Sequence, residues 1–409
     1  MALQFYDRTI AVNLGFLVGA LASMLVGAAD RVASQRLIGG GALGAALCNA
    51  LLLLASGGHL GLRQAVALRA ATGACLAFVY PPACKVAATW FRRSRGVALG
   101  VVVGAVVLGS ALPHFINGCF GNGTPWEALI AATSGISAAG AVLALRTVRN
   151  GPFARSGQRD ERERAHEREG ERERGRRSTG TSVIRVADIA ALLRNKGLLL
   201  ACVGYCGHSW EIYGLWSWYR TFALDALLLD AAPASRGPDF DPASTERAAS
   251  FIAFAVVAVG SLGCLAGGVL ADRHGRTKVV LASCVGSAAC GFAAGYLQHS
   301  VALVVAVGCV WGVVVVSDSA QYAAMATELC DPRRIGLAAT LQFAFGYVLT
   351  VPTIYAVPAL VGDRSVADGG GGGWPAAWSV LAVGPLVSAL ATYRLRQLPC
   401  ARRLAGGKM

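Results

Sequence analysis

The chain has 409 residues, 55% of them hydrophobic and 15% charged, with a mean hydropathy of +0.53. That is too apolar for a water-soluble domain of ordinary composition, so the bilayer is the expected solvent. The formal net charge of +14 would suit a nucleic-acid partner in a soluble protein, but the basic residues fall in alternate loops, a topological pattern, and no nucleic-acid partner is expected.

Crossing about 30 Å of hydrocarbon takes roughly 20 apolar residues in a helix. Stretches of that kind recur eleven times, near 10–28, 37–56, 64–85, 96–116, 126–146, 198–222, 249–271, 279–297, 301–325, 335–361 and 376–393. The chain is therefore expected to be an all-α integral membrane protein embedded in lipid. Arg8 and the small residues Gly27, Ala28 and Ala29 give the first span some features of a secretory leader. Cleavage and export would leave Arg31 and Arg36 opposite every later basic loop, so the helix is expected to be retained. The basic loops hold Arg31 and Arg36, then Arg92, Arg93 and Arg95, then Arg273 to Lys278, then Arg333 and Arg334. The positive-inside rule puts these loops and the C-terminus in the cytosol.

Between the fifth and sixth spans lies a polar insert with the run RDERERAHEREGERERGRRS at 159–178. Arg and Glu can pair along a helix there, but no apolar face is available to bury, so a solvated helix or disordered linker is expected. Glu nearly cancels Arg, and no aromatics are interleaved for base stacking, which argues against RNA. The twelve cysteines lie mostly within apolar spans without CxxC pairs or zinc spacing, and read as small buried hydrophobes. Cys202 and Cys206 stand one helical turn apart, a spacing metal ligands use, but they lack a His or carboxylate partner at matching depth. No P-loop, G-x-S-x-G elbow or H-E-x-x-H occurs, so neither an enzyme nor a cofactor or metal is expected.

After the seventh span stands GVLADRHGRTK, Gly268 to Lys278. A glycine such as Gly268 permits close helix approach, and Gly275 permits an unusual backbone turn. Asp272 can pair with an arginine or with a helix N-terminus. This segment resembles the loop motif of the major facilitator superfamily, G-x-L-A-D-R-x-G-R-[RK], with Thr277 ahead of the final basic residue Lys278. A degenerate copy follows the first span, where Asp30, Arg31 and Arg36 repeat the spacing of Asp272, Arg273 and Lys278, and Ala33 replaces the turn glycine. Arg69 to Gly73 is similar to the family's R-x-x-x-G element, and WFRRSRGVALG, 90–100, to the loop and helix start that follow it. Gly96, Gly100, Gly104 and Gly109 form a ladder that admits a close neighbour.

The resemblance implies a fold of two pseudo-symmetric helical bundles and a monomeric secondary transporter that moves a small solute by alternating access. It divides the chain into an N-terminal bundle at 1–148, a cytosolic charged linker at 149–197, a C-terminal bundle at 198–396 and a cytosolic tail at 397–409. Counted against the twelve-helix family pattern, the chain is expected to lack the first helix, as a truncated gene start or a true loss. The motif residues Asp30, Arg31, Arg36, Gly268, Asp272, Arg273, Gly275, Arg276 and Lys278 are expected to form the conformational gate.

An ionisable side chain inside a bilayer costs several kcal/mol unless paired, about 2.5–3.5 kcal/mol on insertion scales, so each one marks a candidate site. Arg69 in the third span reads as a proton-coupling or anion-contacting residue, or as half of a structural ion pair. His208 and Glu211 share one helical face and can share a proton or contact one substrate. The alternative places them in the headgroup region, with Trp210, Trp216 and Trp218 as interfacial anchors. Asp318 shares a stripe with Gln321, Tyr322 and Met325 that is expected to face the cavity, unless Asp318 pairs with Arg69. Together these residues point to an organic anion or zwitterion moved with protons by symport. A transport-inactive sensor or ligand-binding protein of the same fold is the alternative.

Overall fold

The computed structural model describes residues 2–28, 32–55, 61–91, 94–120, 126–153, 186–230, 241–331, 334–362 and 373–408. Among them there are helices and no strands. In chain order the helices are α1 (Ala2–Val26), α2 (Ser34–Ala50), α3 (Leu62–Leu76), α4 (Tyr80–Trp90), α5 (Arg95–Phe120), α6 (Trp126–Thr147) and α7 (Val186–Leu193). They continue with α8 (Lys196–Asp230), α9 (Pro242–His274), α10 (Arg276–Ala294), α11 (Val301–Ser317), α12 (Ser319–Leu329), α13 (Ile335–Val361) and α14 (Trp374–Arg396). A 3-10 helix at Pro399–Gly407 follows.

Among the described residues, nine helical spans are long and apolar enough to cross a membrane, and they coincide with nine of the eleven sequence spans. The other two are also helical. One contains the shorter apolar stretch Ile10–Val26, and the other is α8, diluted by His208, Ser209, Glu211, Arg220 and Asp225. Two spans are interrupted. The third breaks between α3 and α4 just before Pro81 and Pro82, which lack the N–H groups that would bond back to the preceding turn. The ninth breaks at Asp318, between α11 and α12.

Helix α9 starts on a cap that its sequence supplies. The Asp241 carboxylate accepts from the Ala243 and Ser244 amides at 2.9 and 3.1 Å, and Pro242 fills the first turn, where no N–H is needed. The helices of the first half meet those of the second mainly along two seams, α5 with α9 and α1 with α13. The densest apolar packing lies in the second half, where Trp311, Trp374 and Trp378 are fully buried. Trp374 stacks on Trp378 at 5.2 Å, and Trp311 meets Trp378 edge-on at 5.3 Å.

The charged insert at 154–185 lies outside the described residues. Two short elements were not anticipated: α7, just before α8, and the 3-10 helix in the expected tail, where Ala401 and Leu404 are fully buried.

Candidate functional site

Helix α8 carries two ionisable residues, His208 and Glu211, into its middle third. His208 and Glu211 are 3% and 2% exposed, so both are held inside the helix packing. The tryptophans likewise point to neighbouring helices: Trp210 Nε1 donates to the Val380 carbonyl at 3.0 Å and Trp218 Nε1 to the Ile354 carbonyl at 3.1 Å. Ile354 is four residues before Pro358, so its carbonyl lacks the usual helical donor, and the Trp218 indole supplies one.

The break at Asp318 turns a carboxylate into this interior. Asp318 Oδ1 lies 2.9 Å from His208 Nδ1, an ion-pair distance. The two atoms are not aligned as a hydrogen bond, and neither has another hydrogen-bond partner. The Cys284 thiol reaches the second oxygen at 3.9 Å. Glu211 is held differently. Its Oε1 accepts from Ser287 Oγ at 2.7 Å and from Trp311 Nε1 at 2.8 Å. Three ionisable side chains thus share one interior, walled by α8, α10 and the α11–α12 break, and the His–Asp contact is geometrically incomplete.

Arg69 does not join them. Its Nη1 donates to Asn49 Oδ1 at 3.2 Å, and the Asn49 amide in turn donates to Thr133 and Ser134 of α6 at 3.2 and 3.0 Å. The stripe of Gln321, Tyr322 and Met325 is fully buried and does not face a cavity. The kink at Asp318 rotates it into the helix packing, where Gln321 accepts from Arg276 and the Tyr322 hydroxyl lies 3.5 Å from Thr392.

At the ends of α9 and α12 a second polar cluster forms around the loop motif. Gly275 has φ 102°, a backbone conformation open to glycine, and it turns the chain directly from α9 into α10. Arg276, 2% exposed, makes a bidentate pair with Glu328 at 2.6 and 2.9 Å, donates to Gln321 at 3.0 Å and lies 3.5 Å from Asp272. Asp272 accepts from the Gly96 and Val97 amides at 3.0 and 3.1 Å, capping the N-terminus of α5 from another helix. Gly96 and Gly268 make this possible, since a Cβ on Gly96 would sit 2.7 Å from Asp272 Oδ1 and 2.8 Å from the Gly268 carbonyl. Arg273 and Lys278 are exposed, whereas Thr277, in the place of the family's final basic residue, is buried. Of the degenerate copy, Asp30 and Arg31 lie outside the described residues, and Arg36 is exposed on α2. The 3-10 helix joins this cluster: the Ala405 amide donates to Glu328 at 3.0 Å and Lys408 Nζ to the Asp272 carbonyl at 2.7 Å.

Sequence reasoning missed Glu328, Ser287, Trp311 and the tail contacts. An acidic residue closing a helix just before a basic loop was a usable signal for Glu328. Ser287 and Trp311 sit in apolar runs and gave none. Among the described residues no group of three His, Cys, Asp or Glu side chains is arranged to hold a metal ion.

Among the described residues the chain is all helical, with nine spans long and apolar enough to cross a membrane and a capped inter-helix loop motif, which is the architecture of a multi-pass membrane protein. The sequence model of the Major Facilitator Superfamily matches residues 9–351, and the chain belongs to that superfamily. Among solved structures the chain is similar to the nucleoside transporter NupG, in its D323A mutant, with a TM-score of 0.59 and 14% identity over 95% of this chain and 91% of that one. A search of curated proteins found no match.

Proposed function

We propose that the protein is a proton-coupled secondary transporter of a small solute, working by alternating access, with His208, Glu211 and Asp318 as the proton-handling group. The carrying observation is the 2.9 Å approach of His208 to Asp318 in the middle third of their spans, with Glu211 one turn away on the same helix. A carboxylate and an imidazole this close exchange a proton with little rearrangement, and burial makes their charge state a strong lever on how the surrounding helices pack. On this reading the bundles at 1–148 and 198–396 rock against each other as a monomer, and the linker at 149–197, the motif loops and the tail face the cytosol. Asp272, Gly268 and Arg276 form the gate, with Gly275 as its turn.

The expectation of an organic anion rested on Arg69 sharing a space with His208 and Asp318. Its hydrogen bond to Asn49, toward α6, removes that support. At 14% identity NupG contributes its fold and not its substrate. The test is uptake into proteoliposomes across a metabolite panel, with and without an inward proton gradient. Gradient-driven accumulation by the native chain, lost in Glu211→Gln with downhill flux retained, supports the reading. Accumulation that ignores the gradient removes proton coupling, and binding without flux leaves the sensor.

A further inference from the structure

Between the two halves, side chains at matching depth are aromatic. Phe16 of α1 stacks on Tyr347 of α13 at 4.0 Å, and Tyr80 at the start of α4 meets Phe343 of α13 at 4.7 Å. From α8, Tyr205 lies 5.5 Å from Phe343 and Tyr213 lies 5.5 Å from Tyr347. Four helices, two from each half, thus bring six rings together. Phe16, Tyr80, Tyr213 and Tyr347 all fall in the middle third of their spans, counting Leu62–Trp90 as one. Phe16, Tyr205 and Phe343 are buried, and Tyr80, Tyr213 and Tyr347 are partly so.

Among the described residues, the six rings of this layer themselves carry no formal charge. Glu211 is turned onto Ser287 and Trp311, Asp318 onto His208 and Cys284, and Arg69 onto Asn49. His208 reaches the layer through its ring, 5.7 Å from that of Tyr205 and inclined to it by 30°. A charged solute entering among these rings would be desolvated against uncharged side chains, whereas a flat uncharged ring can replace the ring-on-ring contacts and hydrogen-bond to the tyrosine hydroxyls. We infer that this layer is the solute site and that the solute is an uncharged aromatic or heteroaromatic molecule with polar substituents. The inference rests on the transport reading above for its physiological meaning.

The test is ligand-dependent thermal unfolding of the purified full chain in detergent, with matched probes: nicotinamide against nicotinate, uracil against orotate, indole against indole-3-acetate, and mannitol as a non-aromatic control. At least one uncharged ring is expected to raise the unfolding midpoint saturably, and more than its carboxylate counterpart. Its apparent affinity should fall roughly tenfold in Tyr347→Leu, the effect expected of losing one stacking partner. Tyr347→Phe, which keeps the ring, should fall less. If Tyr347→Leu gives no cooperative transition, Tyr80→Leu replaces it. Preference for the carboxylates or for mannitol, no stabilisation by any uncharged ring, or native affinity in the leucine variant overturns the inference. Because the readout is binding, a chain that binds rings without moving them fails the transport reading and leaves the site standing. Proton-driven uptake of an unrelated solute does the reverse.

Discussion

The two polar clusters of the second half are built from the same materials and finished differently. At the loop motif, Arg276 contacts three side chains, and Asp272 caps a helix. In the middle of α8, His208 and Asp318 approach closely but share no aligned hydrogen bond. A buried charge with full partners is held in one arrangement, and removing a partner is costly. A buried charge with incomplete partners changes state more cheaply. On the proposed reading, the motif cluster holds one conformation and the α8 cluster carries the chemistry that changes between conformations.

The largest effect on stability should come from Arg276→Ala. It strands Glu328, partly buried, beside Asp272, and a broken buried pair of this kind costs about 3–5 kcal/mol. Thermal unfolding in detergent measures it, and the double variant Arg276→Met with Glu328→Leu should recover most of the loss. Failure to recover would mean that Gln321 and Asp272 carry more of the cluster than Glu328 does. Asp272→Ala should cost less, about 1–2 kcal/mol, the range of a lost helix cap. It should slow solute flux while leaving ligand-induced stabilisation unchanged, because its partners lie at the end of α5, far from the rings. Equal loss of flux and binding in a well-folded variant would break the comparison.

Asp318→Asn comes next. It keeps shape and loses a proton site whose alignment is already poor, so stability should change by less than about 1 kcal/mol. Gradient-driven accumulation should nevertheless disappear while counterflow persists. If this variant unfolds as readily as Arg276→Ala, then the α8 cluster is a structural pair and the contrast between the two regions fails.

The helices and the loop motif were legible in the sequence because they depend on short-range signals. Apolar length fixes a span, and Gly275 and Asp272 carry their roles in their own backbone and charge. What the sequence did not disclose depended on three-dimensional placement. The helical stripe of Asp318, Gln321 and Tyr322 was drawn on an unbroken helix, but the break at Asp318 redirected it, so Gln321 reached Arg276 while Asp318 and the Tyr322 ring reached His208. Arg69 is a charge within an apolar span, yet its side chain is bound by Asn49, a residue that no local pattern connects to it. The aromatic layer joins α1, α4, α8 and α13, and no single helix announces it.

The smallest effect belongs to Lys278. By sequence it completes the family motif, one place late, and the resemblance would give it a share in the gate. Its side chain is nevertheless exposed, and the position that the family fills with a base holds Thr277, buried at the start of α10. Shifting a residue by one along a helix turns it by about 100°, enough to move it from the packed face to the open one. Lys278→Ala should therefore change stability by less than about 0.5 kcal/mol and leave flux at the native rate. Unfolding midpoints and uptake rates measured beside those of Asp272→Ala provide the check. A loss of flux comparable to that of Asp272→Ala would mean that Lys278 gains a partner in another conformation of the cycle, and the gate would then extend one residue further than its contacts here.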